Sequence, residues 1–240
     1  MRNVAAICRK EIGGYFNSAI AYIAIIVFLV VTNSFFFFPQ GFFVVGQAWL
    51  RPFFTLLPWT LLLFIPAVTM RIWAEEKKLG TIEVLMTLPV KDWEVVMGKY
   101  LASLAFYVIM LALTLTLPLT VAYLGQPDSG PIVGGYVGAL LLGAAYLAIG
   151  NFVSTLGNEQ MVAFIITVWS LAVLLLIGLQ GVVAFVPDVV APVLKYASLA
   201  THFDSVGRGV LDSRDVFYYL SVIGFFLFLT VRSVESRKWR

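Results

Sequence analysis

The chain has 240 residues, of which 61% are apolar and only 12% charged, and its mean hydropathy is +0.95. That is more apolar surface than one soluble core can hide, so a soluble globular protein is excluded and lipid must cover much of the chain. The net charge of +3 is small and sits beside the apolar runs, which argues against a nucleic-acid partner. Charges gather in a few stretches between long apolar segments, as wetted loops do between lipid-facing helices. The expected fold is therefore one all-α integral membrane domain over residues 1–240. Cys8 is the only cysteine, so an internal disulfide is excluded and the thiol reads as an ordinary one.

Residues 1–18 open the chain. Val4, Ile7, Cys8, Ile12, Tyr15 and Phe16 can share an apolar stripe while Arg9, Lys10 and Glu11 stay wet. The pattern fits an amphipathic helix lying on the membrane surface and turning inward at Gly13 and Gly14; a frayed basic tail that orients the first span is the alternative. The apolar run Ala19 to Phe38 is longer than a signal-peptide core and lacks a clear cleavage site, so it reads as a retained span. Six apolar segments in all approach the length of roughly 20 residues that a helix needs to cross. They lie near 19–38, 53–70, 100–124, 132–156, 161–186 and 216–231, and the fifth could end instead near Gln180 and Gly181. Residues 187–215 are too polar to span and too apolar for a loose linker, so short extracytoplasmic helices are expected there.

With six spans both termini share one side. Twelve of the sixteen basic residues then lie at the N-terminus, in the loop 71–99 or at the C-terminus. That asymmetry places both termini in the cytoplasm.

The most informative stretch is Arg71 to Tyr100. The second span continues outward through Ala74, Glu75, Glu76, Lys77 and Lys78 to Gly80, a natural residue just past a helix end. Thr81 can cap a short helix, Ile82 to Leu88, which Pro89 terminates. Asp92 then stands where the next helix starts, favoured by its dipole, and Gly98 and Lys99 lead into the third span. The short helix offers Ile82, Leu85 and Met86 beside Glu83, an adaptable docking face. Packing against the chain's own N-terminal helix is the other use of that face.

The order AEEKKLGTIEVLMTLPV followed by DWEVVMGKYLAS resembles the first cytoplasmic loop of ABC-2 type transporter permeases, and among them the gliding-motility-associated, GldF-like subunits. KEIGGYFNSAIAYI, LLPWTLLLFIPAVTMRIWAEEKKLGTIE and AIGNFVSTLGNEQMVAF extend the likeness from Lys10 to Phe164; beyond that only the hydrophobic pattern is shared. The resemblance implies a bacterial inner-membrane, multi-pass permease subunit with an elbow helix at residues 1–18, including Arg9, Lys10 and Glu11, and a coupling helix at Thr81 to Leu88. It implies two copies of a cytoplasmic ABC ATPase, a second permease copy or a related permease, and an extracytoplasmic auxiliary subunit of the gliding-motility type. Glu75, Glu76, Gly80, Thr81 and Glu83 are carried over as family-like coupling positions, and Ile82, Leu85 and Met86 belong to the docking face.

ATP and Mg are expected in the partner ATPase, with no cofactor on this chain. No Walker motif is present: Gly98-Lys99 is followed by Tyr100 where Ser or Thr is needed, and Trp93 stands in place of the first glycine. His202 has no metal-ligand spacing. Ser198 or Ser205 with His202 and Asp204 lack a nucleophile-elbow sequence. The spans carry almost no charge, against an ion-coupled carrier. Asn33, Asn151, Gln180, Thr114, Thr116 and Thr120 fit helix contacts as well as a pathway. Gly134, Gly138, Ala139, Gly143 and Ala144 read as a packing ridge, and Pro58 and Pro66 as bends in the second span. Two functions stay open: export of a hydrophobic or amphipathic substrate, or transmission of ATP-driven motion to an extracytoplasmic partner without transport.

Overall fold

The computed structural model describes residues 2–38, 49–81, 89–207 and 212–236, and every regular element among them is a helix. Helix α1 (Arg2–Phe16) is followed by α2 (Ala19–Phe37). The chain bends by 72° between them. The bend falls at Asn17 and Ser18, not at Gly13 and Gly14: the Asn17 amide donates to Gly13 O at 2.9 Å and that of Ser18 to Tyr15 O at 3.1 Å. The helix persists through both glycines and carries Tyr15 and Phe16 onto the ring of Phe106, with centroids 5.2 and 5.9 Å apart.

Helix α3 (Arg51–Thr69) begins with a proline in its first turn, where the missing N–H costs no bond, and runs through Pro58 and Pro66. Met70 is a turn residue, after which α4 (Arg71–Lys78) continues outward. Helix α5 (Asp92–Leu113) starts where the sequence places it. Asp92 and Glu94 occupy the first turn, and the Glu94 carboxylate accepts from the Lys91 amide at 3.1 Å.

The expected third span is two helices, α5 and α6 (Thr116–Leu124). Pro118 has no N–H for the Thr114 carbonyl. That oxygen takes a tighter bond from the Leu117 amide at 2.9 Å and another from the Tyr136 hydroxyl at 3.0 Å.

Helix α7 (Ser129–Ser154) is capped by Asp128, whose carboxylate accepts from the Gly130 amide at 3.1 Å. It is the central helix: 67% of its most apolar window is buried, against 17% in α12 (Ser213–Glu235). Its small residues seat large neighbours. A β-carbon at Gly143 would lie 2.3 Å from the Tyr107 ring, and one at Gly138 2.8 Å from Val206. Tyr107 and Tyr100 donate to the Ala139 and Ala144 carbonyls at 2.6 and 3.2 Å.

Helix α8 (Gln160–Leu176) stops well before Val186, and even before Gln180. Ser198 caps its end, donating to Leu175 O at 3.2 Å, and Gly178 passes so close that a β-carbon there would be 2.3 Å from the Ser198 side chain. Short helices follow, α9 (Gln180–Val183), α10 (Ala191–Ala197) and α11 (Leu199–Gly207), before α12.

Contacts fix the direction of each long helix. Ser154 and Thr155 at the end of α7 meet Met70 and Trp73 at the α3–α4 junction and Ser233 near the end of α12. At the other end of the bundle His202 meets Asp215 at the start of α12, and Ser198 meets the end of α8. So α2, α3–α4, α5–α6, α7, α8 and α12 each run between one charged end and an opposite end. Four are long and apolar enough to cross a membrane: 51–78, 92–124, 129–154 and 213–235. The bent α1–α2 pair would make a fifth. Helix α8, with 17 residues, reaches only about 25 Å, somewhat short of a hydrocarbon core of about 30 Å.

Candidate functional site

At the charged end two of the sequence-predicted residues, Glu11 and Glu76, meet around a lysine. Lys99, about two turns into α5 from Asp92, is 2% exposed. Its ammonium donates to Glu76 Oε1 at 2.8 Å, to Glu11 Oε1 at 3.1 Å and to the Ile72 carbonyl at 3.2 Å, and lies 5.2 Å from the centroid of the Trp73 ring. One cation thus ties α1, α4 and α5 together. Burying it is tolerable only because two carboxylates and a carbonyl replace its water. Glu11, expected to stay wet, is drawn to this ammonium, while Arg9 and Lys10 on the same helix are exposed.

Helix α1 lies close on α5 because Gly98 has no side chain: a β-carbon there would sit 2.7 Å from Cγ2 of Ile7. One turn away, the Asn3 amide donates to the Glu94 carboxylate at 3.1 Å. Ile7 also packs on an apolar cluster of Ile72, Trp73, Val95, Val96 and Val234.

Helix α4 is fastened to the end of α7 as well. The Trp73 indole donates to Asn151 Oδ1 at 2.6 Å, and Ser154 Oγ accepts from the Trp73 amide at 3.1 Å while donating to the Met70 carbonyl at 3.3 Å. Lys77 donates to the carbonyls of Thr155 and, at 3.2 Å, Gly157; Lys78 pairs with Glu159 at 3.4 Å. Gly150 lets the helices approach, since a β-carbon there would be 2.3 Å from Oγ1 of Thr69.

Of the family-like positions, Glu75 holds Arg71 through two bonds of 2.7 and 3.0 Å, and Glu76 holds Lys99. Gly80 closes the rod in the left-handed region, φ 70°, where glycine carries no steric cost. The Thr81 hydroxyl donates back to the Glu76 carbonyl at 3.3 Å. Ile82, Glu83, Leu85 and Met86, with the rest of 82–88, lie outside the described residues. Sequence reasoning did not place Lys99, Trp73, Ser154 or Thr155 in this cluster. A lone lysine entering the apolar run VVMGKYLAS was the available signal, since a charge at that depth needs a partner.

The cluster joins α1, α4 and the start of α5 to one another, and α4 to the end of α7. At the opposite end both imidazole nitrogens of His202 are engaged, by Asp215 at 2.6 Å and by the Tyr196 carbonyl at 2.9 Å, so neither can serve a nucleophile. Among the described residues no three His, Cys, Asp or Glu side chains gather as metal ligands.

A bundle of apolar helices, four of them long and apolar enough to cross a membrane, defines a multi-pass membrane protein. The family model described as ABC-2 family transporter protein matches residues 52–231, and the chain belongs to that family. Its members are transmembrane subunits of transporters that work with an ABC ATPase. Among curated proteins none matches this chain.

Proposed function

We propose that the chain is the permease subunit of an ATP-driven exporter, with residues 82–88 as the segment docking on a separate cytoplasmic ATPase. The observation that carries this reading is the Lys99 joint. Helix α4 ends at Lys78 and Gly80 turns the chain just before that segment, while α5 begins at Asp92, just after it. A push on 82–88 therefore acts on α4 and α5 together, and through Glu11 and Asn151 it reaches α1 and α7. Two ATPases would act on two permease copies, or on this chain and a relative, with all six passes spanning the membrane and both termini cytoplasmic. A GldF-like assignment, an auxiliary subunit outside the membrane and an amphipathic cargo belong to the same proposal.

Replacing Glu83 by Lys or Leu85 by Asp should abolish ATPase association while the chain still inserts. Unchanged co-purification and unchanged stimulated ATPase activity would sink the docking assignment.

A second reading, motion delivered to an extracytoplasmic partner without transport, is favoured by the way the short helices are built. His202–Asp215, the Tyr218 hydroxyl on Ala197 O at 2.6 Å and that of Tyr219 on Leu199 O at 2.9 Å fix α10 and α11 rigidly to α12. In vesicles holding the whole complex, ATP-dependent movement of an amphipathic probe supports export, whereas ATP turnover without movement supports transmission.

A further inference from the structure

Beside the joint, between the bent α1–α2 pair and the α3–α4 junction, lies a cleft of about 340 Å³. Its lining changes character along its length. Arg71, Glu11 and Glu75 form the wall at the charged end, and Ala21, Ala24 and Ala67 form the deeper wall. Arg71 is the first charge after the apolar run of α3, so this transition falls where a bilayer passes from headgroups to chains.

We infer that the cleft is a binding site for a bilayer phospholipid with a zwitterionic, primary-amine headgroup. The volume stands at the low end of small-molecule sites, enough for a headgroup and the first part of one chain but not a whole lipid, whose remainder would lie along α2. The bonds to Glu75 use the Nε and Nη2 side of the Arg71 guanidinium, which leaves the Nη1 amino group available to a phosphate. Counting the adjoining joint, three carboxylates, Glu11, Glu75 and Glu76, stand against two cations, Arg71 and Lys99, which disfavours an anionic headgroup and suits one that also carries an ammonium. A primary ammonium can donate to Glu11 or Glu75; a trimethylated one has no hydrogens to give. The alanines leave the slot open where larger side chains would close it. Lipid bound there would brace α1 and α2 against α3 and α4, independently of whether the chain exports anything.

The test is thermal unfolding of the full-length chain, stripped of lipid and placed in phosphatidylcholine nanodiscs with or without an equal mole fraction of phosphatidylethanolamine or phosphatidylglycerol. Phosphatidylethanolamine should raise Tm by roughly 4 °C or more, and phosphatidylglycerol should not. Ala24→Leu or Ala67→Leu, which fill the slot and leave every ion pair in place, should lose that increment, as should Arg71→Gln, whatever their starting Tm. Mass spectrometry of the mildly purified chain should find phosphatidylethanolamine retained in the native sequence and depleted in Ala24→Leu. No increment, an equal one from phosphatidylglycerol, or its survival in any of these variants overturns the proposal.

Discussion

Lys99 holds its charge where water cannot reach it, so its worth shows when it is removed. Lys99→Met would leave Glu76 and Glu11, which are 20% and 23% exposed, facing an apolar side chain. Breaking such a pair from one side costs about 3 kcal/mol. Denaturation should report that loss, and a double-mutant cycle with Glu76→Gln should recover part of it; additive losses would show that the two groups do not interact. Glycines give a second contrast. Gly143→Ala drives a methyl into the Tyr107 ring and strains its bond to Ala139, costing about 1–3 kcal/mol by overpacking. Gly224 in α12 has nothing within 4 Å of its β-position, and Gly224→Ala should be neutral or stabilising by up to about 1 kcal/mol through helix propensity. Equal thermal shifts for the two would show that the α7 contact is not tight.

The contact of α1 with α5 is set by a single absent side chain. Gly98→Ala should push Ile7 away, loosen α1 from the Lys99 joint and lower ATP-coupled activity several-fold in the assembled complex. Ile7→Ala in the same chain should restore much of it by making room, and failure of that rescue would show that Gly98 matters for another reason. Much of this level was legible in the sequence. Gly80 as a terminator and Asp92 as a start are local devices, governed by backbone conformation and helix dipole, and both stand where the sequence puts them. The bend at Asn17 was not legible, because Tyr15 and Phe16 are held in register by Phe106, ninety residues away in the chain. Nor was the early end of α8, which depends on Ser198 reaching Leu175 O. Hydropathy reports that a segment is apolar; it cannot report a distant hydroxyl that ends the helix.

Across the whole molecule the direction of the helices constrains where the ends lie. The α3–α4 rod, through Trp73 and Lys77, meets the end of α7, which in turn meets the end of α12, so these helices run in parallel. The chain must then return once between α7 and α12, and α8 is the segment that connects Glu159, beside Lys78, to Ser198 at the other end. The same reasoning makes α2 a return: α1 docks on the start of α5, while Phe28 of α2 meets Phe64 of α3 partway along. If the membrane follows this geometry, residue 10 and the α4 rod share one face and residue 188 lies on the other. Because Cys8 is the only cysteine, a Cys8→Ser background makes this measurable with single thiols at exposed Lys10 and Asp188. A membrane-impermeant maleimide should label Asp188→Cys in right-side-out vesicles and Lys10→Cys only in inverted ones. Labelling of both from the same side would mean that α2 or α8 lies within the bundle without crossing the bilayer. The shortness of α8 makes it the pass on which that outcome would turn: a helix of about 25 Å must thin the bilayer around it or rely on Gln160 and the turn at Gly178 to meet the headgroups. Lengthening it by one turn of leucines should then leave the labelling pattern intact if α8 crosses, and disturb the Ser198 cap, with a lower Tm, whether or not it does.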